Sequence, residues 1–216
     1  MENIELLRAL FLFKELKDRQ IENALKKLNS SEKDYRKNSL LIKKGQKTTC
    51  TGLLLDGCAT VFHEDIWGNK TTVCQIKAGQ TFGEPYSASD LPSNIYVRSD
   101  VACKVLWLNI SKINFAGNDS VLLMIASNLL QEMAFKLLQR NNQLMHISKK
   151  TTKEKIMSYL SLQAEENKSK DFVIPLNRQQ LADYLFVERS AMAAELSALK
   201  ADGKIKTRKN HFTLYP

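Results

Sequence analysis

Hydrophobic positions along the chain change period twice. Between Leu10 and Leu28 they fall at helical spacing, which predicts one or two short amphipathic helices. From about Tyr35 to Asn109 the pattern becomes short runs rich in Val, Ile, Thr and Leu. Turns at Lys44-Gly45, Asp56-Gly57, Trp67-Gly68-Asn69 and Ala78-Gly79 separate them. Repeated short strands of this kind predict an antiparallel sandwich or jelly roll. Helical spacing then returns. Asn118-Asp119-Ser120 supply a cap, and neither Gly nor Pro interrupts the chain to Ile147. Val121, Ile125, Leu129 and Leu138 mix there with Leu122, Met133, Leu137 and Leu144, an apolar surface wider than one stripe. Such a helix needs two neighbours. The barrel is one, and a second copy of the helix is the other; a single buried helix in a monomer is the alternative. SKKTT at 148–152 reads as a polar hinge, and Lys153 to Gln163, with Ile156, Tyr159 and Leu160 apolar, as a further helix.

The last forty residues carry the sharpest pattern. Asn177 is a good N-cap with Gln180 in capping-box position. Leu181, Ala182 and Leu185 make one apolar stripe, and the chain breaks at Phe186-Val187. A second helix is predicted from about Glu188 to Ala201, closed by Gly203. Met192, Leu196 and Leu199 share one face of it. Ser190, Ala193, Ala194 and Ser197 fall opposite, with Arg189 at the start. That outer face is small and uncharged, suited to close approach to a surface. Lys204, Lys206, Arg208 and Lys209 cluster around KIKT and HFTLY, predicting a β-hairpin with a basic turn. Two short helices joined by a tight turn occur in many proteins that never meet DNA; the basic hairpin shifts the balance toward a helix-turn-helix with a wing.

Charge supports this direction without naming a partner. The chain of 216 residues carries +9, and from Ser148 onward 13 Lys and Arg stand against 8 Asp and Glu, a net +5 in 69 residues. A polyanion is the expected partner. Hydrophobic content of 44% and charged content of 25% describe an ordinary globular chain. The start, Met1-Glu2-Asn3-Ile4-Glu5, lacks the basic region of a signal peptide, and no run approaches the roughly 20 apolar residues of a membrane span. A cytoplasmic protein with no membrane partner is expected. Cys50, Cys58, Cys74 and Cys103 are separated by 8, 16 and 29 positions, which match no metal-ligand spacing. They read as free thiols, with a thiol sensor as the alternative. His63, His146 and His211 are scattered, so no metal or cofactor is expected. A cupin-like metalloenzyme would share the jelly roll but needs a tight His and Glu set, and His63-Glu64 has no companion histidine on its strand.

LADYLFVERSAMAAELSALKADGKI, residues 181–205, is similar to the helix-turn-helix of the CRP/FNR family of bacterial transcription regulators. IKKGQ (42–46), LLLDGCATVF (53–62), GNKTT (68–72) and IKAGQTFGE (76–84) resemble landmarks of its sensor domain. The resemblance implies an α+β fold: a cyclic-nucleotide-binding-type β jelly-roll barrel with N-terminal helices (1–117), a long dimerisation helix (118–147) and a winged helix-turn-helix DNA-binding domain (148–216). It implies a homodimer on a pseudo-palindromic operator in double-stranded DNA, acting with RNA polymerase, and not an enzyme. Arg178, Gln179, Arg189, Ser190, Ala193, Ala194, Ser197, Lys204, Arg208 and Lys209 are the expected DNA contacts, Arg189 reading a base and Arg178 and the wing meeting phosphate. Phe186 stands where the family has its turn glycine, Glu188 replaces the usual Ser or Asp cap, and Ala194 replaces a second base-contacting arginine. In the barrel Gly83-Glu84 match the phosphate-binding cassette, yet Pro85 to Val97 contains no Arg or Lys. A partly buried phosphodiester needs arginine's fork or an equally dense set of donors. Cyclic AMP is therefore not the expected effector. Another small molecule near Glu84, Tyr86, Ser93, Asn94, Tyr96 and Leu138 is expected instead; a cavity filled by its own side chains and an effector-independent regulator are the alternatives.

Overall fold

A computed structural model describes residues 4–115 and 117–215. The chain divides into two compact units, Met1–Glu132 and Met133–Pro216, and a single long helix passes through the division.

The first unit begins with α1 (Ile4–Arg8), a 3₁₀ turn (Phe11–Phe13) and α2 (Asp18–Lys27). Helical structure thus starts ahead of the expected Leu10. The break before α2 falls at Glu15, whose φ of 67° is left-handed. Leu7, Phe13, Ile21 and Leu25 bury the inner faces of these pieces. Eight strands follow: β1 (Ser31–Tyr35), β2 (Leu40–Ile42), β3 (Cys50–Asp56), β4 (Cys58–Glu64), β5 (Lys70–Lys77), β6 (Thr81–Phe82), β7 (Tyr96–Ser99) and β8 (Cys103–Asn109), with α3 (Glu84–Ser89) between β6 and β7. They form two antiparallel four-stranded sheets, ordered β1-β8-β3-β6 and β2-β7-β4-β5. Ile42, Leu54, Val61, Ile76, Val97 and Val105 build the core between them. β1 begins earlier than the pattern predicted. Its sequence, SEKDY, is almost wholly exposed and lacks apolar alternation, so only the ladder to β8 makes it a strand. Gly52 in β3 is fixed by close approach: a Cβ there would sit 2.2 Å from the Phe82 ring.

The long helix α4 (Ser120–Ile147) starts where its cap was read. Asp119 Oδ1 accepts from the backbone N–H of Val121 at 3.1 Å and of Leu122 at 3.3 Å, and the carboxylate pairs with Lys27. That ammonium holds the Asp119 carboxyl below its ordinary value. Leu122, Ile125 and Leu129 are buried in the first unit, where Asn128 Nδ2 donates to the carbonyls of Leu12 and Lys14, both at 3.1 Å. One expectation needs correction. α4 contains an 18-residue window of mean hydropathy 1.5, long and apolar enough by length and composition to cross a bilayer. No unbroken apolar run marks this window, because Asn128, Gln131 and Glu132 interrupt it without lowering the average far enough.

The second unit holds the remainder of α4, then α5 (Thr152–Glu166), β9 (Asp171–Val173), α6 (Arg178–Leu185), α7 (Arg189–Ala201), β10 (Ile205–Arg208) and β11 (His211–Leu214). Thr151 opens α5 with a reciprocal capping box: Glu154 N–H donates to its hydroxyl at 3.1 Å, and its own N–H to Glu154 Oε2 at 3.0 Å. The expected hairpin is present. It also has a third strand, β9, beside β11, which three residues are too few to announce by period. Ile156, Leu160, Leu181, Leu185, Met192, Leu196, Leu199 and Phe212 form one continuous core. A jelly-roll barrel, a long helix and a winged helix-turn-helix are therefore the architecture.

Candidate nucleic-acid interface

The helix-turn-helix is built as its residues dictate. Gln180 N–H donates to Asn177 Oδ1 at 2.9 Å, and Asn177 N–H donates to Gln180 Oε1 at 2.9 Å. α6 ends with Val187 N–H on the Ala182 carbonyl at 3.1 Å and Phe186 N–H on that of Asp183 at 3.3 Å. This Schellman ending needs a left-handed residue, and Phe186 supplies it at φ 52°, ψ 53°. The turn keeps its shape without glycine, and the Phe186 ring is turned out to solvent. Glu188 takes the N-cap position of α7 but makes no side-chain cap bond. At the far end Gly203, at φ 69°, closes α7 in a second Schellman arrangement, with Lys204 N–H on the Leu199 carbonyl at 3.0 Å.

α7 buries Met192, Leu196 and Leu199 and exposes Arg189, Ser190, Ala193, Ala194 and Ser197. The Ser197 hydroxyl donates back to the Ala193 carbonyl at 3.0 Å, leaving its oxygen to accept. Gln179, exposed on α6, donates to Asp183 at 2.8 Å. Lys204, Lys206, Arg208 and Lys209 are all exposed on or beside the hairpin, and Lys209 sits at its tip with φ 55°. A cavity of about 300 Å³ lies between α7 and β10, lined by eight residues that include the cations Arg178, Arg189 and Lys200 and no acidic side chain. Arg178 differs from the other expected contacts: its guanidinium is half-buried, 4.7 Å from the Phe212 ring centroid, and burial lowers its pKa.

The expected effector residues do not come together as one set. Glu84 is buried and accepts from the Thr81 hydroxyl. That hydroxyl also lies 2.6 Å from Glu132 Oε1. Ser93 is buried, but its hydroxyl donates to the Ile95 carbonyl at 2.9 Å. Tyr86 and Asn94 hydrogen-bond to each other at the exposed surface. Tyr96 is the clearest departure. Val97 faces the core between the sheets, so the pleat sends Tyr96 and Arg98 to the opposite face of β7. There Tyr96 stacks on Phe62, centroids 5.2 Å apart, and the Arg98 guanidinium lies 5.5 Å from the Phe62 centroid. Leu138 belongs to the second unit and is exposed. None of the four cysteines is in a disulfide, and burial pushes Cys103 up from its ordinary pKa.

Two family models match the chain. A cyclic nucleotide-binding domain covers residues 32–116, and a Crp-like helix-turn-helix domain covers residues 154–215. The chain belongs to the CRP/FNR family. It is a DNA-binding transcription regulator with an effector-binding-type barrel, in a family of regulators rather than enzymes. No curated protein matches it by sequence. Solved CRP/FNR-type structures share its fold at low identity. The catabolite activator protein of Thermus thermophilus is 16% identical, with 95% of this chain and 93% of that one covered at a TM-score of 0.52. CprK complexed with OCPA is 17% identical, with 91% of each chain covered and a TM-score of 0.58. CLP of Xanthomonas campestris, described as a c-di-GMP-responsive global regulator, is 16% identical, covering 93% of this chain and all of that one at 0.51.

One surface feature of this CRP/FNR chain is hidden in the hydrophobic pattern. Leu123, Leu130, Leu137 and Leu144 recur on α4 at strict seven-residue spacing, and all four are exposed, at 49%, 68%, 61% and 58%. The signal was present as a heptad. It was masked because buried leucines at 122 and 129 sit beside the exposed ones.

Proposed function

We propose that this CRP/FNR protein is a cytoplasmic homodimer that binds a pseudo-palindromic operator and acts with RNA polymerase. In this reading residues 1–117 sense, 118–147 dimerise and 148–216 bind DNA. The observation that carries it is the outer face of α7: small, uncharged, exposed, and headed by Arg189, which pairs with no carboxylate among the described residues, beside a basic wing. Such a helix enters the major groove, where Arg189 pairs bidentately with guanine. Ser190 hydrogen-bonds nearby, and Ala193 and Ala194 accept thymine methyls. Gln179, Ser197, Lys204, Arg208 and Lys209 complete the contact surface, the basic residues through phosphate. The leucine heptad supports pairing of two copies, since an exposed seam of four leucines is stabilised by burial against its own image.

The barrel's effector in this proposal is a small molecule other than cyclic AMP. No cation lies between Pro85 and Val97, the Ser93 hydroxyl is engaged by its own backbone, and Glu84 is held by Thr81. That CprK is described in complex with OCPA and CLP as c-di-GMP-responsive shows the fold admits different ligands in other proteins. Calorimetric titration with cyclic AMP at low micromolar concentration is expected to show no binding. Footprinting on DNA upstream of the protein's own gene, with and without small molecules from cell extract, tests the whole. Two protected half-sites about 34 Å apart are expected. Absence of protection, with a monomer in sedimentation, would overturn the proposal.

A further inference from the structure

Arg178 opens α6, a position from which an extended side chain would reach phosphate, yet its guanidinium turns inward. It lies over the Phe212 ring, 4.7 Å from the centroid, and Nη2 donates to Thr207 Oγ1 at 2.7 Å. Nη1 is sealed from solvent and has no hydrogen-bond partner among the described residues. Phe212 is a fully buried member of the core, and Thr207 is on β10. The Thr207 hydroxyl in turn lies 3.5 Å from the backbone carbonyl of Lys209, at the wing tip. No carboxylate pairs with Arg178 among the described residues, so the aromatic face is its electrostatic counterpart. A phosphate contact needs an N–H that solvent can reach. One terminal nitrogen here is enclosed, and the other spends one of its two N–H groups on Thr207, which turns the guanidinium toward the wing.

We infer that Arg178 is a positioning residue: its guanidinium clamps the wing onto α6 through Phe212 and Thr207, so that Lys206, Arg208 and Lys209 meet the DNA backbone. This rests on the helix-turn-helix binding duplex DNA. Lysine cannot replace arginine in the clamp, because an ammonium does not stack as a plane on Phe212 while donating sideways to Thr207.

The test measures affinity for a random-sequence duplex at low salt. The proteins are wild type, Arg178→Ala, Arg178→Lys and Thr207→Val, plus Arg178→Ala in a background where Lys206, Arg208 and Lys209 are all alanine. Arg178→Ala and Arg178→Lys are each expected to weaken binding roughly tenfold, the scale of one lost charge-assisted hydrogen bond. Thr207→Val, which removes no charge, is expected to weaken it several-fold. In the wing-neutral background Arg178→Ala should add nothing, because its effect runs through the wing. If Arg178→Lys and Thr207→Val both bind like wild type, or if Arg178→Ala loses the same factor in the neutral-wing background, Arg178 is a phosphate contact and the inference fails. Should wild type ignore duplex DNA, the regulatory reading falls by itself. Amide exchange in β10 and β11, which needs no DNA, then decides the clamp: faster exchange in Arg178→Ala supports it, and unchanged exchange overturns it.

Discussion

At the scale of single residues, Phe186 and Arg189 show how much one position can settle. Phe186 occupies a left-handed turn that Cβ sterics disfavour by about 1–2 kcal/mol, and it gains nothing from burial because its ring is exposed. Phe186→Gly is expected to leave stability level or raise it by up to ~1 kcal/mol, after subtracting glycine's greater unfolded-state entropy. Chemical denaturation of the two proteins checks this, and a marked loss would show the ring to be packed. Arg189 is expected to read one base step. Arg189→Ala should lose about 1–3 kcal/mol on the operator and relax specificity at that step alone, whereas Lys209→Ala should weaken all sequences alike. Competition binding with single-base operator variants separates the two outcomes. The exposed placement of both Phe186 and Arg189 was legible in sequence, since a motif register places a side chain on a helix face without further information. Arg178 was not. Its direction depends on where Phe212 and Thr207 lie, some thirty positions along the chain.

At the scale of elements, α4 carries two different faces. Leu122, Ile125 and Leu129 are buried, while the leucines at 123, 130, 137 and 144 form an open stripe. A seven-residue repeat drifts slowly around a 3.6-residue helix, so a partner helix must supercoil to follow it. Leu130→Glu places a carboxylate in the middle of that seam in both copies, where its desolvation opposes pairing. A shift from dimer to monomer in sedimentation velocity is expected, with the circular dichroism of the helix retained. A dimer that persists would mean the seam lies elsewhere. Strand prediction shows the opposite lesson. β3 and β4 were readable because their apolar residues are buried, but β1 and β9 exist only through pairing with β8 and β11. A strand without a buried face leaves no periodic trace in the sequence.

At the scale of the whole molecule, charge and pH act together with packing. His146, in the last turn of α4, is fully buried: Nδ1 lies 2.8 Å from Ser158 Oγ, and Nε2 has no partner among the described residues. Tyr159 and Tyr184 flank the ring at 5.7 and 6.2 Å between centroids. Burial lowers its pKa below the ordinary 6.5; the charge of Glu166 opposes this and that of Lys149 adds to it. The folded state therefore resists the proton. As pH falls through about 6.5 the unfolded chain takes it up first, so the stability of the second unit declines below that value. Thermal unfolding between pH ~7 and ~5 is expected to show a fall in midpoint that His146→Gln reduces; identical pH profiles would remove His146 from the account. The sequence by itself determined the barrel, the long helix, the two motif helices and the basic hairpin. Each is written in local hydrophobic period, capping residues or charge, which need no distant partner. Only the tertiary structure decided that Tyr96 leaves the barrel core, that Arg178 turns toward the wing and that four leucines on α4 stay uncovered, because each depends on which surfaces far apart in the chain have already claimed the neighbouring space.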